Sequence, residues 1–156
     1  VPFLPAACRG KLVDADGQYR LHRMIANPDL PDMGFVGFNS SFCSVLGAEL
    51  AANWLVRFAD GQLVQQPSTA EMQESIDMML HFKRVERPAA SAYGGLCVAP
   101  FHFKHFDELL ADMGATIRQR GALAETLLPP DADAYARFLA SAPDYIVEKP
   151  IDAGKR

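Results

Sequence analysis

The sequence predicts an α/β fold that ends in a mostly helical extension, and three observations support this prediction. A short apolar run over residues 33–38 is bounded by turn residues and predicts one buried strand. Directly after this run come Asn39, Ser40 and Ser41, whose side chains commonly cap the N-termini of helices. From Ser44 onward apolar residues recur at helical spacing, and three further helical segments follow.

The segment before the strand is rich in turn residues. Asp16-Gly17 is a hairpin-type turn signal, and it predicts two short strands on either side, over residues 11–13 and 19–22.

The first helix is predicted over residues 44–60. Glu49, Asn53 and Arg57 lie on its polar side, opposite an apolar stripe. Gly61 follows at the position where many helices end with a left-handed residue. The stripe consists of Leu46, Gly47, Leu50, Ala51, Trp54, Leu55 and Phe58.

The later helices carry start and stop signals of their own. Ser68 and Glu71 have the spacing of a capping box, in which each side chain satisfies a backbone amide of the other residue. Gly114 would end a further helix, and Asp131 or Asp133 would cap the last one. The sequence therefore predicts helices over residues 68–83, 101–113 and 131–142.

Composition argues against several classes of protein. Fifteen Lys and Arg against nineteen Asp and Glu give a net charge of −4, which disfavours a surface for nucleic acid or anionic membrane. No apolar run approaches the roughly 18 residues that a membrane span needs. Cys8, Cys43 and Cys97 form no CxxC pair, so we expect no disulfide framework, no zinc site and a cytoplasmic location. The chain starts without methionine or a signal-peptide pattern, so we expect a piece of a longer polypeptide.

The turn between the predicted strand and the first helix is the strongest candidate for a ligand site. A strand that leads through a small polar turn into a helix directs free backbone N–H groups, and the positive end of the helix dipole, at one place. The pattern is neither a dinucleotide-binding glycine loop nor a Walker loop, so a turn required only by chain geometry explains it equally well. The candidate residues are Gly37, Phe38, Asn39, Ser40, Ser41 and Phe42.

Two other kinds of chemistry have weaker support. Cys43 lies near a helix N-terminus, which favours the reactive thiolate form, but none of the four histidines has a recognisable role beside it. A thiol enzyme based on Cys43 stays an alternative to a small apolar core residue. His102 and His105 have the spacing of a helical ligand pair, yet no third ligand accompanies them, so no metal site is predicted.

Five segments, taken in order, resemble the C-terminal part of flavin-containing monooxygenases. The approach over residues 21–31 contains Leu-His-Arg and two prolines, and residues 35–38 read Phe-Val-Gly-Phe. Residues 48–55 read Ala-Glu-Leu-Ala-Ala-Asn-Trp-Leu, and residues 67–72 read Pro-Ser-Thr-Ala-Glu-Met. Residues 106–115 are similar to a conserved Asp-Glu-Leu tail of that family. The order and spacing of the five segments carry the resemblance.

The resemblance implies a fold and an activity. Residues 1–88 would close a Rossmann-like FAD-binding domain, and residues 89–156 would form a helical C-terminal extension. The glycine-rich loops for FAD and NADPH belong upstream, so the fragment alone is expected to be inactive and to bind neither cofactor tightly. The intact enzyme would use NADPH and O2 to oxygenate a small organic substrate through a peroxyflavin.

The resemblance also implies a site and partners. The turn at residues 37–42 would lie beside the flavin ring, where amides at the helix start stabilise the reduced, anionic ring. The implied partners are a small-molecule substrate and the upstream part of the same polypeptide, and a homo-oligomer is left open. No catalytic residue, nucleic acid or membrane is assigned. The alternative from a different class is a non-catalytic helical module that binds a partner or oligomerises.

Overall fold

Helices dominate the structure, a computed structural model that describes residues 2–38, 43–86, 88, 103–117 and 130–141. No helix in these ranges combines the length and the apolar character that a membrane crossing requires. The described helices are α1 (Ala6–Leu12), α2 (Ser44–Ala59), α3 (Thr69–Val85), α4 (Phe103–Asp112) and α5 (Ala132–Ala140).

The prediction of a strand over residues 33–38 was wrong, because these residues form no regular strand. The described residues do not confirm an α/β fold. Within this segment only Gly34 forms a bridge, and its partner is Ala26. The Phe35 amide donates to the Ile25 carbonyl at 2.8 Å, but the pairing extends no further along the described chain. The segment is therefore a short extended stretch that pairs only briefly with the turn before it.

Two glycines explain why this extended stretch is short. Gly34 packs so closely on α2 that an added Cβ would lie 2.4 Å from a methyl carbon of Leu55. Gly37 has a φ of 69°, in the left-handed region, which turns the chain out of an extended course. The apolar run over residues 33–38 therefore reflects close packing against α2 and not pairing within a sheet.

The N-terminal hairpin is also shorter than predicted. Residues 11 and 12 belong to the end of α1, a helix that the turn signals did not indicate. What remains of the hairpin is one bridge between Val13 and Tyr19, around a turn in which Gly17 has a φ of 77°.

The four predicted helices are present, with ends that differ by a few residues. The capping box forms as predicted: the Ser68 hydroxyl accepts from the Glu71 amide at 3.3 Å, and a Glu71 carboxylate oxygen accepts from the Ser68 amide at 2.8 Å. The Asp131 side chain accepts from an amide in the first turn of α5 at 3.0 Å. Gly61 and Gly114, which follow α2 and α4, both have positive φ. These signals are local, and each is confirmed.

One hydrophobic core is shared by α2, α3, α4 and α5. Trp54 of α2 is fully buried in it and stacks on Phe58, with ring centroids 5.0 Å apart and planes 10° apart. The core takes side chains from before and after residue 88, so both predicted parts of the chain contribute to it. Its buried members are Ile25, Ala26, Leu50, Ala51, Trp54, Leu63, Met72, Phe106, Leu109, Leu110, Met113 and Tyr135.

We expect Gly114→Ala to lower the free energy of unfolding and Gly10→Ala to leave it unchanged or raise it. Gly114 has a φ of 77°, and an added Cβ would lie 2.6 Å from Cγ2 of Val64. A left-handed alanine costs about 1–2 kcal/mol. Gly10 lies within α1 with no heavy atom within 4 Å of an added Cβ, and alanine favours a helix by up to about 1 kcal/mol. Urea unfolding followed by the fluorescence of Trp54 measures both changes, and equal destabilisation by the two variants would contradict the expected difference between these glycines.

Candidate functional site

The predicted cofactor-binding turn leads into the start of α2. Gly37 is exposed, and an added Cβ at this glycine would lie 3.6 Å from Cβ of Ala48, so the chain runs close beside the N-terminal part of the helix. Phe38 is half-buried. The other four predicted residues, Asn39, Ser40, Ser41 and Phe42, lie outside the described residues, so their role stays a prediction.

The ring of Phe38 belongs to a small apolar cluster at the N-terminal end of the chain. It meets the Tyr19 ring edge-on at a centroid distance of 4.7 Å and the Phe35 ring at 5.1 Å. Leu12 and Leu21 are buried in the same cluster. A ligand at the turn would therefore meet the backbone of Phe38 rather than its ring.

The N-terminus of α2 presents amide groups that no described side chain caps. Cys43 is the N-cap residue, but its thiol makes no capping hydrogen bond, and the first turn contains no acidic residue. The free amides at a helix start carry the positive end of the helix dipole and attract negative charge. The amides of residues 44–46 are thus available, within the described part of the chain, to an acceptor from outside it.

Two exposed valines flank this helix start in the sequence. The side chain of Val45 is 74% exposed and that of Val36 is 48% exposed. Val45 lies in the first turn of α2, and an exposed apolar side chain in the same turn as free amide donors suits a flat ring with a polar edge, because ligand sites combine apolar contact area with a few directed polar groups.

The thiol and metal alternatives gain no support from the described residues. Cys43 packs against the main core, and it is not hydrogen-bonded to His22, His81 or His105. His105 is buried, and His102 lies outside the described ranges. No group of three or more metal-ligating side chains occurs among the described residues.

An ion-pair network that the sequence patterns do not reveal ties the N-terminal segment to α4. Arg23 donates from Nε and Nη2 to the two carboxylate oxygens of Asp112, at 2.8 and 3.0 Å. Its Nη1 lies 2.8 Å from a carboxylate oxygen of Glu108. Trp54 Nε1 donates to Asp112 Oδ2 at 2.9 Å. Asp112 therefore connects the N-terminal segment, α2 and α4 through one partly buried carboxylate.

The backbone that presents Arg23 is strained. Arg23 and Met24 have φ values of 52° and 58°, in the left-handed region that residues other than glycine rarely occupy. They form a tight turn in which the Ile25 amide donates to the His22 carbonyl at 2.9 Å. Such strain costs on the order of 1–3 kcal/mol per residue and persists only where surrounding contacts impose it. The ion pair between Arg23 and Asp112 is one of the contacts made from this turn.

His22 lies buried beside this network. Its ring centroid is 5.8 Å from that of Trp54, and its Nδ1 has no hydrogen-bond partner among the described residues. Burial, and secondarily the charge of Arg23, lower the pKa of His22 from 6.5 to about 4, although the charge of Asp112 opposes this shift. His22 is therefore neutral at pH 7.

We expect the free energy of unfolding to fall as the pH is lowered from 6.5 to about 4. His22 binds a proton at higher pH in the unfolded chain than in the folded one, so acid favours unfolding. The full shift corresponds to at most about 3 kcal/mol. Denaturant unfolding at a series of pH values should show this slope in the wild type and a flatter slope in His22→Phe, which keeps the aromatic contact with Trp54. The exposed His81→Phe is the matched control, and equal slopes in all three proteins would count against this role of His22.

Two proteins of Arabidopsis thaliana are similar to most of this chain. The chain is 31% identical over 112 residues, 72% of its length, to "Probable flavin-containing monooxygenase 1". It is 31% identical over 111 residues, 71% of its length, to "Putative flavin-containing monooxygenase 2". The chain is related to the flavin-containing monooxygenases. No family model and no solved structure matches it.

The chain spans only a small part of these monooxygenases. The match covers 20% of the first relative and 23% of the second. At most 45 of the 156 residues lie outside a match of 111 residues, so residues 46–111 fall within both matches wherever these begin. The similarity to flavin-containing monooxygenases therefore includes almost all of α2, the whole of α3 and α4 up to its last residue.

Proposed function

We propose that the chain is the C-terminal portion of an FAD- and NADPH-dependent monooxygenase that oxygenates a small organic substrate. The observation that carries this proposal is the match to two flavin-containing monooxygenases. Bound flavin, reduced by NADPH and reoxidised by O2, would supply the oxygen-transfer chemistry. The role of this chain is to bind and orient the flavin ring and to stabilise its negative charge.

The flavin ring is proposed to lie beside the turn at residues 37–42 and the start of α2. Three features support this position: the uncapped amides of α2, the exposed apolar surface of Val36 and Val45, and the exposed backbone of Gly37. Amide donors fixed in place before the charge develops stabilise an anion without reorganising, so they favour the reduced, anionic ring.

The network around Asp112 holds α2 in the orientation that this site needs. Trp54 lies near the middle of α2, and both its buried ring and its hydrogen bond to Asp112 restrict rotation of the helix about its axis. A helix fixed in this way presents the same amides at its start. The Arg23 side chain completes the network from the N-terminal segment.

The proposal also covers the domain organisation of the chain and its location in the cell. Residues 1–88 would close a Rossmann-like FAD-binding domain, residues 89–156 would extend it, and the upstream part of the polypeptide would supply the glycine-rich cofactor loops. A cytoplasmic location is proposed because Cys8 and Cys43 are both unpaired, as is usual in a reducing compartment.

We expect the isolated chain not to bind FAD at micromolar concentration, because it carries no pyrophosphate-binding loop. Binding should appear when the chain is mixed with the complementing polypeptide, which is the first Arabidopsis relative without the stretch that matches this chain. Flavin absorbance after gel filtration measures bound FAD. Micromolar binding by the chain alone, or a mixture that retains no FAD, would contradict the proposal.

We expect Val45→Glu to weaken binding of reduced FAD to this mixture by about tenfold, which corresponds to about 1.4 kcal/mol. The new carboxylate repels an anionic ring, yet at a helix N-terminus it stabilises the helix by about 0.3–1 kcal/mol. The isolated variant should therefore be at least as stable as the wild type. Val45→Gln has the same shape without charge, and Val64→Glu places the same charge on another exposed valine, so both should bind FAD normally. Equal affinities in all three variants would count against a flavin at this helix start.

A further inference from the structure

Helix α3 has two apolar faces, and only one of them packs on the core. Met72, Ile76 and Leu80 are buried on the inner face. The outer face of α3 is formed by Met78, Phe82 and Val85, which are 62%, 43% and 59% exposed. A helix on a protein surface ordinarily presents polar residues on the side away from the core, so this apolar outer face is a candidate contact surface.

The apolar character of the outer face is confined to the C-terminal half of α3. Earlier in the helix the same side carries Glu71, Glu74 and Ser75. Met78, Phe82 and Val85 follow at i, i+4 and i+7, the spacing with which helices present anchor residues to a partner. The patch is therefore small and has a polar border on its N-terminal side.

The buried inner face sets the rotation of α3, and two sets of salt bridges are consistent with this rotation. Asp77 accepts from Arg20 at 3.2 Å. Arg84 pairs with Asp14 and also lies 3.0 Å from a carboxylate oxygen of Asp16. These contacts tie two positions on α3 to the segment between α1 and the turn at residues 22–26. The helix cannot bury its outer face by rolling on the core without breaking them.

We propose that the outer face of α3 is the surface against which the rest of the monooxygenase polypeptide packs. This inference rests on the proposed function. The whole of α3 lies within the stretch similar to flavin-containing monooxygenases, and about four-fifths of the first relative lies outside that stretch. In a monooxygenase of this kind, most of the chain is therefore available to cover an apolar helix face.

The area of the patch favours this occupant over a second copy of the chain. Three partly exposed side chains offer roughly 300 Å² of contact surface. A stable interface between separate molecules needs about 800 Å² from each partner. Segments of one polypeptide are held at an effective concentration in the millimolar range, so a small apolar patch is sufficient for them to pack together.

The native methionines of α3 make this surface measurable without substitution. Met78 should be oxidised readily by hydroxyl radicals in the isolated chain, and about fivefold more slowly when the complementing polypeptide and FAD are present. Met113, which is buried in the main core, is the internal reference and should react slowly and equally in both samples. Peptide mass spectrometry measures the two rates.

A substitution tests the same surface independently. Phe82→Gln should weaken the association of the chain with the complementing polypeptide by about tenfold, because it removes the largest apolar side chain of the patch. It should lower the stability of the isolated chain only slightly, since Phe82 is 43% exposed there. Val64→Gln changes another exposed apolar side chain and should leave the association unchanged.

The outcomes separate this inference from the proposed function. Unchanged oxidation of Met78 in a mixture that has bound FAD would overturn the surface assignment and leave the function standing. A mixture that binds no FAD would overturn the proposed function. The oxidation rate of Met78 in that mixture would still show whether the outer face of α3 is covered. Protection of Met78 that rises with the concentration of the isolated chain, and that Phe82→Gln abolishes, would assign the face to a second copy and overturn the proposal.

Discussion

Asp112 is the residue that links α2 and α4 to the N-terminal segment. Its carboxylate accepts a bidentate pair of hydrogen bonds from Arg23 and a third hydrogen bond from Trp54. Removing one partner of such a partly buried pair leaves a charge without compensation, at a cost of about 3–5 kcal/mol for a fully buried site and less at one that water still reaches. Arg23 reaches this carboxylate from a turn in which its own backbone is left-handed. The position of α2, and with it the helix start proposed to meet the flavin, follows from the same contact.

The helices were predictable because their signals are local. The capping box of Ser68 and Glu71, the Asp131 cap and the glycine after α4 each act within one or two turns of chain. The strand predicted over residues 33–38 was wrong, because an apolar run shows that residues are buried but does not show which part of the protein buries them. Here the partner is the side chain of Leu55 on α2, and a neighbouring strand is not part of the described fold. Helix α1 was missed because Gly10, a poor helix former, lies within it.

The candidate site also combines features that depend on neighbouring residues with features that depend on residues far apart in the sequence. The position of Gly37 beside the start of α2 could be inferred from the sequence, because only six residues separate Gly37 from Ser44. The pair of Arg23 and Asp112 could not, since 89 positions separate them and neither residue has a distinctive sequence context. The lowered pKa of His22 depends on that tertiary arrangement as well. The outer face of α3 was visible as helix periodicity, but only the structure distinguishes its exposed apolar side from the buried one.

The central claim, that the first amides of α2 face the flavin, is tested most directly by NMR. The isotopically labelled chain would be combined with unlabelled complementing polypeptide and FAD, and spectra would be recorded before and after reduction of the flavin. Reduction adds negative charge to the ring, so the amide resonances of residues 44–46 should shift more than those elsewhere in the described helices. Unchanged resonances at residues 44–46, with the largest shifts in α3 or α5, would contradict the claim.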